Sequence, residues 1–309
     1  KQVYPQFRYY NTAEIKDLSE YISILKDLNI LVDLQSNIRS RMICWIFRVY
    51  FRKRVFTYNK SRVWRRCQVA LAIFRPRSFI RKKYIPNHDN LQLTKIYNTC
   101  LKALDHTQLL NSKTAEYPYL PIQNRSSKYL ENMDKQQPIV AVTVGAGYPT
   151  KSLPLSSTHS IINAVMKLVS PLSKIQIILL GGKEEIKNAS TLEKKLNYSG
   201  KICNLVGKTS LLEVAQILQS STCLLSSDSS LAHISEAVGT PALVIFGPTV
   251  EEFGFAPHLS KSRSFSSQLG CRPCSLHGKA ECRYGDKACF TSISYNMVAQ
   301  HIAALCKKN

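Results

Sequence analysis

The second half of this chain alternates short apolar runs with helical patterns, and that alternation restricts the fold more than any other feature. The runs are IVAVTVG (139–145), IQIILLGG (175–182), ICNLVG (202–207), TCLLSSD (222–228) and ALVIFG (242–247). Each is rich in β-branched residues and apolar on both faces, as strands covered on both sides are. Between the first two, Ile161, Ile162, Val165, Leu168 and Val169 fall at helical spacing. Between the third and fourth, Leu211, Leu212, Val214, Ala215 and Leu218 do the same. Strand–helix–strand alternation predicts an α/β fold with a doubly wound parallel sheet. Such sheets bind ligands outside the carboxyl ends of their strands. Chemistry is therefore expected in the loops after Gly145, Leu180, Val206, Ser227 and Phe246.

The first half reads differently. It is basic and helix-rich, with one strand candidate at Ile30–Leu34. A polar stretch at 126–137 precedes Pro138 and reads as a linker. A chain of 309 residues suits about two domains, here 1–130 and 131–309. The 42 Lys and Arg exceed the 20 Asp and Glu by 22, which favours anionic partners. From Arg39 to Lys83 there are 15 basic residues and no acidic one, interleaved with Trp45, Phe47, Tyr50, Trp64 and Phe74. A solvated face, a membrane-surface patch and a nucleic-acid patch all fit that composition. No apolar run reaches the roughly 18 residues of a membrane span, and there is no secretory signal pattern. Ten cysteines in so long a chain do not make a disulfide miniprotein, so a reducing compartment is expected.

The strand-end loops carry specific side chains. After the first run, GAGYPTK (145–151) offers small residues for close backbone approach and a point charge at Lys151. Its spacing is not that of a Walker loop. After the fourth run, Asp228 is placed to cap the next helix, and the N–H groups of Ser229, Ser230 and Leu231 would form an anion site at its start. His233 sits one turn in. After the fifth run, the turn Phe246-Gly247-Pro248-Thr249 brings a hydroxyl to the same rim.

Together these segments resemble the lipopolysaccharide heptosyltransferases of glycosyltransferase family 9. The resemblance lies in SSDSSLAHISEAVGTPALVIFGPTVEEFGFAPH (226–258), GAGYPTKSLP (145–154), VGKTSLLEVAQIL (206–218), CRPCSLHGKAECRYGDKACF (271–290) and LVDLQSNIRSR (31–41). It implies a GT-B fold, two Rossmann-like domains facing across a cleft, the first incomplete, with the last helix able to pack back on the first. It implies an inverting, metal-independent transfer of heptose from ADP-heptose to the lipopolysaccharide inner core, with no cofactor. Carried over, Lys151 binds the donor phosphates and sugar, and Asp228 contacts the sugar. The backbone of Ser229, Ser230 and Leu231 holds the diphosphate, with His233 and Thr249 nearby. Thr209 lies against the adenine, and Glu184 meets the ribose, with Glu185 equally near in sequence. Arg39 and Arg41, and more weakly Arg8, suit an anionic lipid A-linked acceptor. The implied protein is a cytoplasmic monomer, peripheral at the inner membrane, with no nucleic-acid partner.

Two departures stand out. Ser230 replaces the family's usual Gly, which a helical backbone tolerates. The family's first strand and the Gly-Asp loop bearing its general base have no counterpart before Tyr4, so the base is unassigned; Asp33 is the nearest strand-end carboxylate. Poor turnover by this chain is the corresponding expectation. Cys271, Cys274, Cys282 and Cys289 read C-x2-C-x7-C-x6-C, zinc-like in the first pair and loose in the second, with His277 as a substitute ligand; a reduced cysteine-bearing loop, with or without one disulfide, is the favoured reading and no metal is expected. Three other readings remain: a transferase for another nucleotide sugar, a nucleic-acid-binding protein and a non-catalytic relative.

Overall fold

The computed structural model describes residues 28–33, 38–57, 61–82, 127–131, 133, 134, 136–169, 174–196, 198 and 200–307, with isolated residues near 22–26, 95–100 and 120–122. Arg8, Leu34 and the side chain of Arg39 lie outside the described residues. The chain forms two compact units, Lys1–Lys60 with Lys95–Thr114, and Ser61–Thr94 with Ala115–Asn309.

In the smaller unit, β1 (Ile30–Asp33) pairs in parallel with β2 (Arg54–Thr57), and α1 (Ile38–Val49) connects them. Phe47 is fully buried on the inner face of α1. Asp33 is buried at the end of β1 and accepts from Ser40 Oγ at 3.0 Å. Burial, reinforced by Asp33, pushes the Cys44 thiol up to about 11. Sequence reading did not anticipate β2, a four-residue strand that opens on an arginine.

The larger unit begins with α2 (Arg62–Phe74). Its sheet holds β3 (Ile139–Thr143), β4 (Gln176–Leu180), β5 (Ile202–Asn204), β6 (Cys223–Ser227), β7 (Ala242–Phe246) and β8 (Arg263–Ser266). The strand order is β5-β4-β3-β6-β7-β8, and every pairing is parallel. All residues of β3, β4, β6 and β7 are buried, which explains the apolar runs that make up most of each strand. Between strands run α3 (Leu155–Val169), α4 (Ile186–Lys195), α5 (Leu211–Gln219) and α6 (Ser230–Ala237); α7 (Ala288–Thr291) and α8 (Tyr295–Cys306) close the chain.

Period-2 alternation sends Val140, Val142, Ile177 and Leu179 to one face, where Ile161 and Val165 of α3 and Val298 and Ile302 of α8 cover them. Ala141, Ile178 and Leu180 face the other way, onto Val214, Ile217 and Leu218 of α5. Leu168, Leu211 and Leu212 fit the helical spacing but are exposed. The last helix lies on α3 within this unit. The edge strand β8, RSFS, was also not anticipated; exposed edges are short and polar, which hides them from an apolar-run criterion.

The chain leaves β3 toward β4 and β5, and leaves β6 toward β7 and β8. The neighbours β3 and β6 therefore bound a topological switch point, where the loops diverge and leave a crevice.

Candidate active site at the switch point

Three strand-end loops meet at one carboxylate. Asp228, buried at the end of β6, receives Lys151 Nζ at 2.8 Å from the loop after β3. Thr249 Oγ1, on the turn after β7, donates to the same Asp228 oxygen, Oδ2, at 2.6 Å. Both bonds converge on Oδ2, so Oδ1 takes neither. A mostly buried Lys–Asp pair holds its charges in place because neither partner can return cheaply to water.

Sequence reading expected Asp228 to cap α6. It does not: the cap position is Ser229, in extended conformation with φ −141 and ψ 165, and no side chain caps the helix there. Asp228 is drawn instead to the charged partner. The Ser229 hydroxyl is 2.8 Å from Ser226 Oγ. Ser226 donates onward to the Ser227 carbonyl and accepts from Thr143 of β3 at 3.0 Å. Ser230 is the first helical residue, so its side chain needs no special backbone freedom. The first-turn N–H groups of α6, including Ser230 and Leu231, therefore open the helix without a side-chain cap, as an anion site requires.

His233 lies one turn into α6, its ring 5.8 Å from that of Phe255. Burial lowers its pKa; Asp228 opposes that and Lys151 reinforces it, so the imidazole is neutral at neutral pH. His277 is lowered too, by burial and then by the charges of Arg65 and Lys151. It belongs to the surroundings of the lysine.

Along the rim toward β5, the turn Lys183–Glu185 follows β4. A Cβ on Gly145 would sit 2.2 Å from Glu185 Cγ, so the absence of a side chain at Gly145 is what lets Glu185 lie over this loop. Glu184 is exposed. Thr209 is half-buried beyond β5, just before α5. Arg41 is exposed on α1 in the smaller unit.

The cysteine segment braces this site from outside. Arg272 is fully buried, and its guanidinium donates to the carbonyls of Gly247 (2.6 Å), Phe246 (3.0 Å), Thr249 (2.8 Å) and Ser267. Cys274 N donates to the Pro248 carbonyl at 3.0 Å. The turn bearing Thr249 is thus gripped on several of its carbonyls. Thr150, beside Lys151, exchanges bonds with Lys279: Oγ1 donates to its carbonyl at 2.8 Å and accepts from its N–H at 2.7 Å. Gly278, at φ +106, lets the segment cross within contact of Tyr148 and Lys151. Sequence reading missed Arg272 and Lys279, because their partners lie far away in sequence.

Among the described residues, no group of three or more His, Cys, Asp or Glu side chains is arranged to hold a metal ion. Cys271, Cys274, Cys282 and Cys289, spaced loosely for metal, are free thiols. Burial pushes Cys289 up to about 12, against the lowering influence of Arg272, and raises Cys271 and Cys274. A protonated, half-buried thiol is a poor nucleophile. Iodoacetamide is therefore expected to label exposed Cys67 well before Cys289 in the native protein, read by mass spectrometry of timed digests. Comparable rates would contradict these environments.

A second anchor fixes α6. Buried Glu236 accepts from the backbone N–H of His258 and of Leu259 (2.9 Å) and from Ser262 Oγ, with His258 Nδ1 2.9 Å away. Burial raises its pKa, but the bonds from His258 and Ser262 outweigh that and hold the carboxyl below its ordinary value of 4.5. The folded state thus binds this proton less readily than the unfolded state. The stabilisation is complete above the ordinary carboxylate range and is lost as pH falls through the depressed value. Glu236→Gln should lower stability at neutral pH and flatten the acid limb of a denaturant-midpoint-against-pH curve. An unchanged limb would sink the assignment.

The model of glycosyltransferase family 9 (heptosyltransferase) matches residues 83–285. The chain belongs to this family. Among curated proteins, it is similar to lipooligosaccharide heptosyltransferase 2 of Haemophilus influenzae (strain ATCC 51907 / DSM 11121 / KW20 / Rd), 38% identical over 50 residues. That match spans 16% of this chain and 14% of the relative. Among solved structures, the family 9 glycosyl transferase of Veillonella parvula DSM 2008 is 12% identical with a TM-score of 0.59, over 94% of this chain and 77% of that one. The ADP-heptose lipopolysaccharide heptosyltransferase II of E. coli is 15% identical with a TM-score of 0.50, over 91% and 99%. These likenesses show the fold: the family 9 chain has the α/β GT-B fold of Rossmann-like units.

Proposed function

We propose that this family 9 chain transfers heptose from ADP-heptose to the inner core of lipopolysaccharide, with inversion and without a catalytic metal, at the inner face of the membrane. The observation that carries the reading is the meeting of Lys151, Asp228 and Thr249 beside the uncapped start of α6. Breaking the bond between sugar and diphosphate builds negative charge on the leaving group. A lysine and a helix N-terminus placed there in advance stabilise that charge as it forms.

The rim order supports a nucleotide sugar laid across the strands. Thr209 lies after β5, Glu184 and Glu185 after β4, Lys151 after β3, Ser229–Leu231 after β6 and Thr249 after β7. Four inter-strand steps span about 19 Å, enough for an extended nucleotide diphosphate sugar. In this reading adenine lies by Thr209, ribose by Glu184 or Glu185 and diphosphate by Lys151 and α6. Glu185, which covers Gly145, is the better placed of the two for a ligand on that loop. Asp228 Oδ1 receives a sugar hydroxyl while Thr249 holds Oδ2. Neutral His233 can donate a hydrogen bond without adding charge. Arg41, with Arg39 and Arg8, serves the anionic acceptor. The base that takes the acceptor proton is not assigned.

The test is product formation. The chain, ADP-heptose and heptose-deficient lipopolysaccharide should yield ADP and a heptosylated lipid of inverted anomeric configuration. Release of a different nucleotide from another sugar donor would keep the site and change its substrate. Donor binding without turnover would locate the deficit in the acceptor side, and no binding would overturn the reading.

A further inference from the structure

We propose that the outward face of α2 is a docking surface for a bilayer containing anionic lipid. This helix is built inside out. Its inward side carries Arg65 and Ala72, both buried. The Arg65 guanidinium lies 5.8 Å from the ring centre of Phe253 and 5.9 Å from that of Phe255. The opposite stripe, at i, i+4, i+7 and i+11, is Val63, Cys67, Ala70 and Phe74, all exposed. Val63 is 76% and Phe74 85% exposed, and Leu71 and Ile73 flank the stripe at 56% each. An ordinary surface helix places these residues the other way round.

Polar ties hold the helix in this orientation. Arg283 Nη1 donates to the Ile73 carbonyl at 2.9 Å, Arg77 pairs with Asp286 at 2.7 Å, and Arg81 pairs with Glu252 at 2.5 Å. The apolar side is therefore left outward by contacts made elsewhere on the same segment. Just beyond the helix, Ile80 is again 75% exposed.

Charge selects the occupant. From Arg62 to Lys82 there are seven Lys and Arg and no Asp or Glu; Arg65 is buried and Arg77 and Arg81 pair with carboxylates, so the positive excess of this face comes from the other four. A second copy of the same face would bring like charges together. A nucleic acid would use the cations but leave the aliphatic stripe in water. The interface of an anionic bilayer takes both: apolar side chains enter the acyl boundary while arginines and lysines stay with the headgroups. The inference deepens the proposed function, whose acceptor is a membrane glycolipid, but rests on none of the donor-site contacts.

The experiment is co-flotation of the full chain with vesicles of phosphatidylcholine alone or mixed with phosphatidylglycerol. Binding is expected to the mixed vesicles, weakened by salt but not abolished. Val63→Ser with Phe74→Ser should weaken it about tenfold or more, and Arg66→Glu should do likewise. Because all three positions are exposed, calorimetric ADP binding should be the same as in the parent chain. Parent-like flotation of both variants, or equal binding to neutral and anionic vesicles, would overturn the proposal. So would loss of self-association, or of duplex DNA binding, in these variants without vesicle binding by the parent. Vesicle binding without ADP binding would leave this surface standing and remove the donor reading.

Discussion

Arg272→Met is expected to be the most destabilising single substitution near the site. The native guanidinium satisfies four carbonyls, those of Phe246, Gly247, Thr249 and Ser267, in a place with almost no solvent access. Each carbonyl left without a donor costs about 1–3 kcal/mol. Even with partial relaxation, a loss of about 4 kcal/mol is expected, a large share of the stability of an ordinary domain. Arg272→Lys should recover only part of it, because an ammonium cannot fork toward carbonyls on two segments. Equilibrium unfolding in urea reads the effect. A loss under about 1 kcal/mol for the methionine variant would mean that the turn at 246–249 holds itself without the brace.

The second large effect concerns the Lys151–Asp228 pair. Asp228→Ala leaves a mostly buried lysine without its counter-charge, and Lys151→Ala leaves a buried carboxylate that keeps the Thr249 hydroxyl but loses its cation. Each single change should cost about 2–4 kcal/mol, since breaking a buried pair strands a charge. The double variant should cost less than the sum of the two, giving a coupling energy of about 1–3 kcal/mol. Additive losses would show that the 2.8 Å contact is not energetically real. Both singles should also abolish measurable donor turnover, for different reasons under the proposed function: there Lys151 serves the leaving group and Asp228 the sugar.

How much of this could be read before the structure depended on the range of the interactions. The central strands β3, β4, β6 and β7 announced themselves because burial on both faces favours short, mostly apolar runs. Lys151, Asp228 and Thr249 could be nominated from strand-end position alone, since parallel sheets gather those loops at one rim. That they converge on a single oxygen could not. Asp228 reads locally as a helix cap, and a charged partner 77 positions back in the sequence displaces that role. The Arg272 and Thr150–Lys279 contacts are likewise long-range and leave no local pattern. In α2, apolar and basic residues alternate around the whole helix, so the spacing does not say which face is covered; Arg65 is inside and Phe74 outside. Strands β2 (RVFT) and β8 (RSFS) are only four residues long, with two and one apolar residues, and an apolar-run criterion passes over them.

The central claim, that the crevice between β3 and β6 holds the diphosphate of an adenine nucleotide sugar, is tested most directly by calorimetric titration. ADP and ADP-heptose should bind the chain, UDP and GDP should not, and Lys151→Ala should weaken ADP about a hundredfold, as expected for losing a partly desolvated charge-assisted contact. Equal affinity for ADP in the parent and the Lys151→Ala variant, or no nucleotide binding at all, would contradict it.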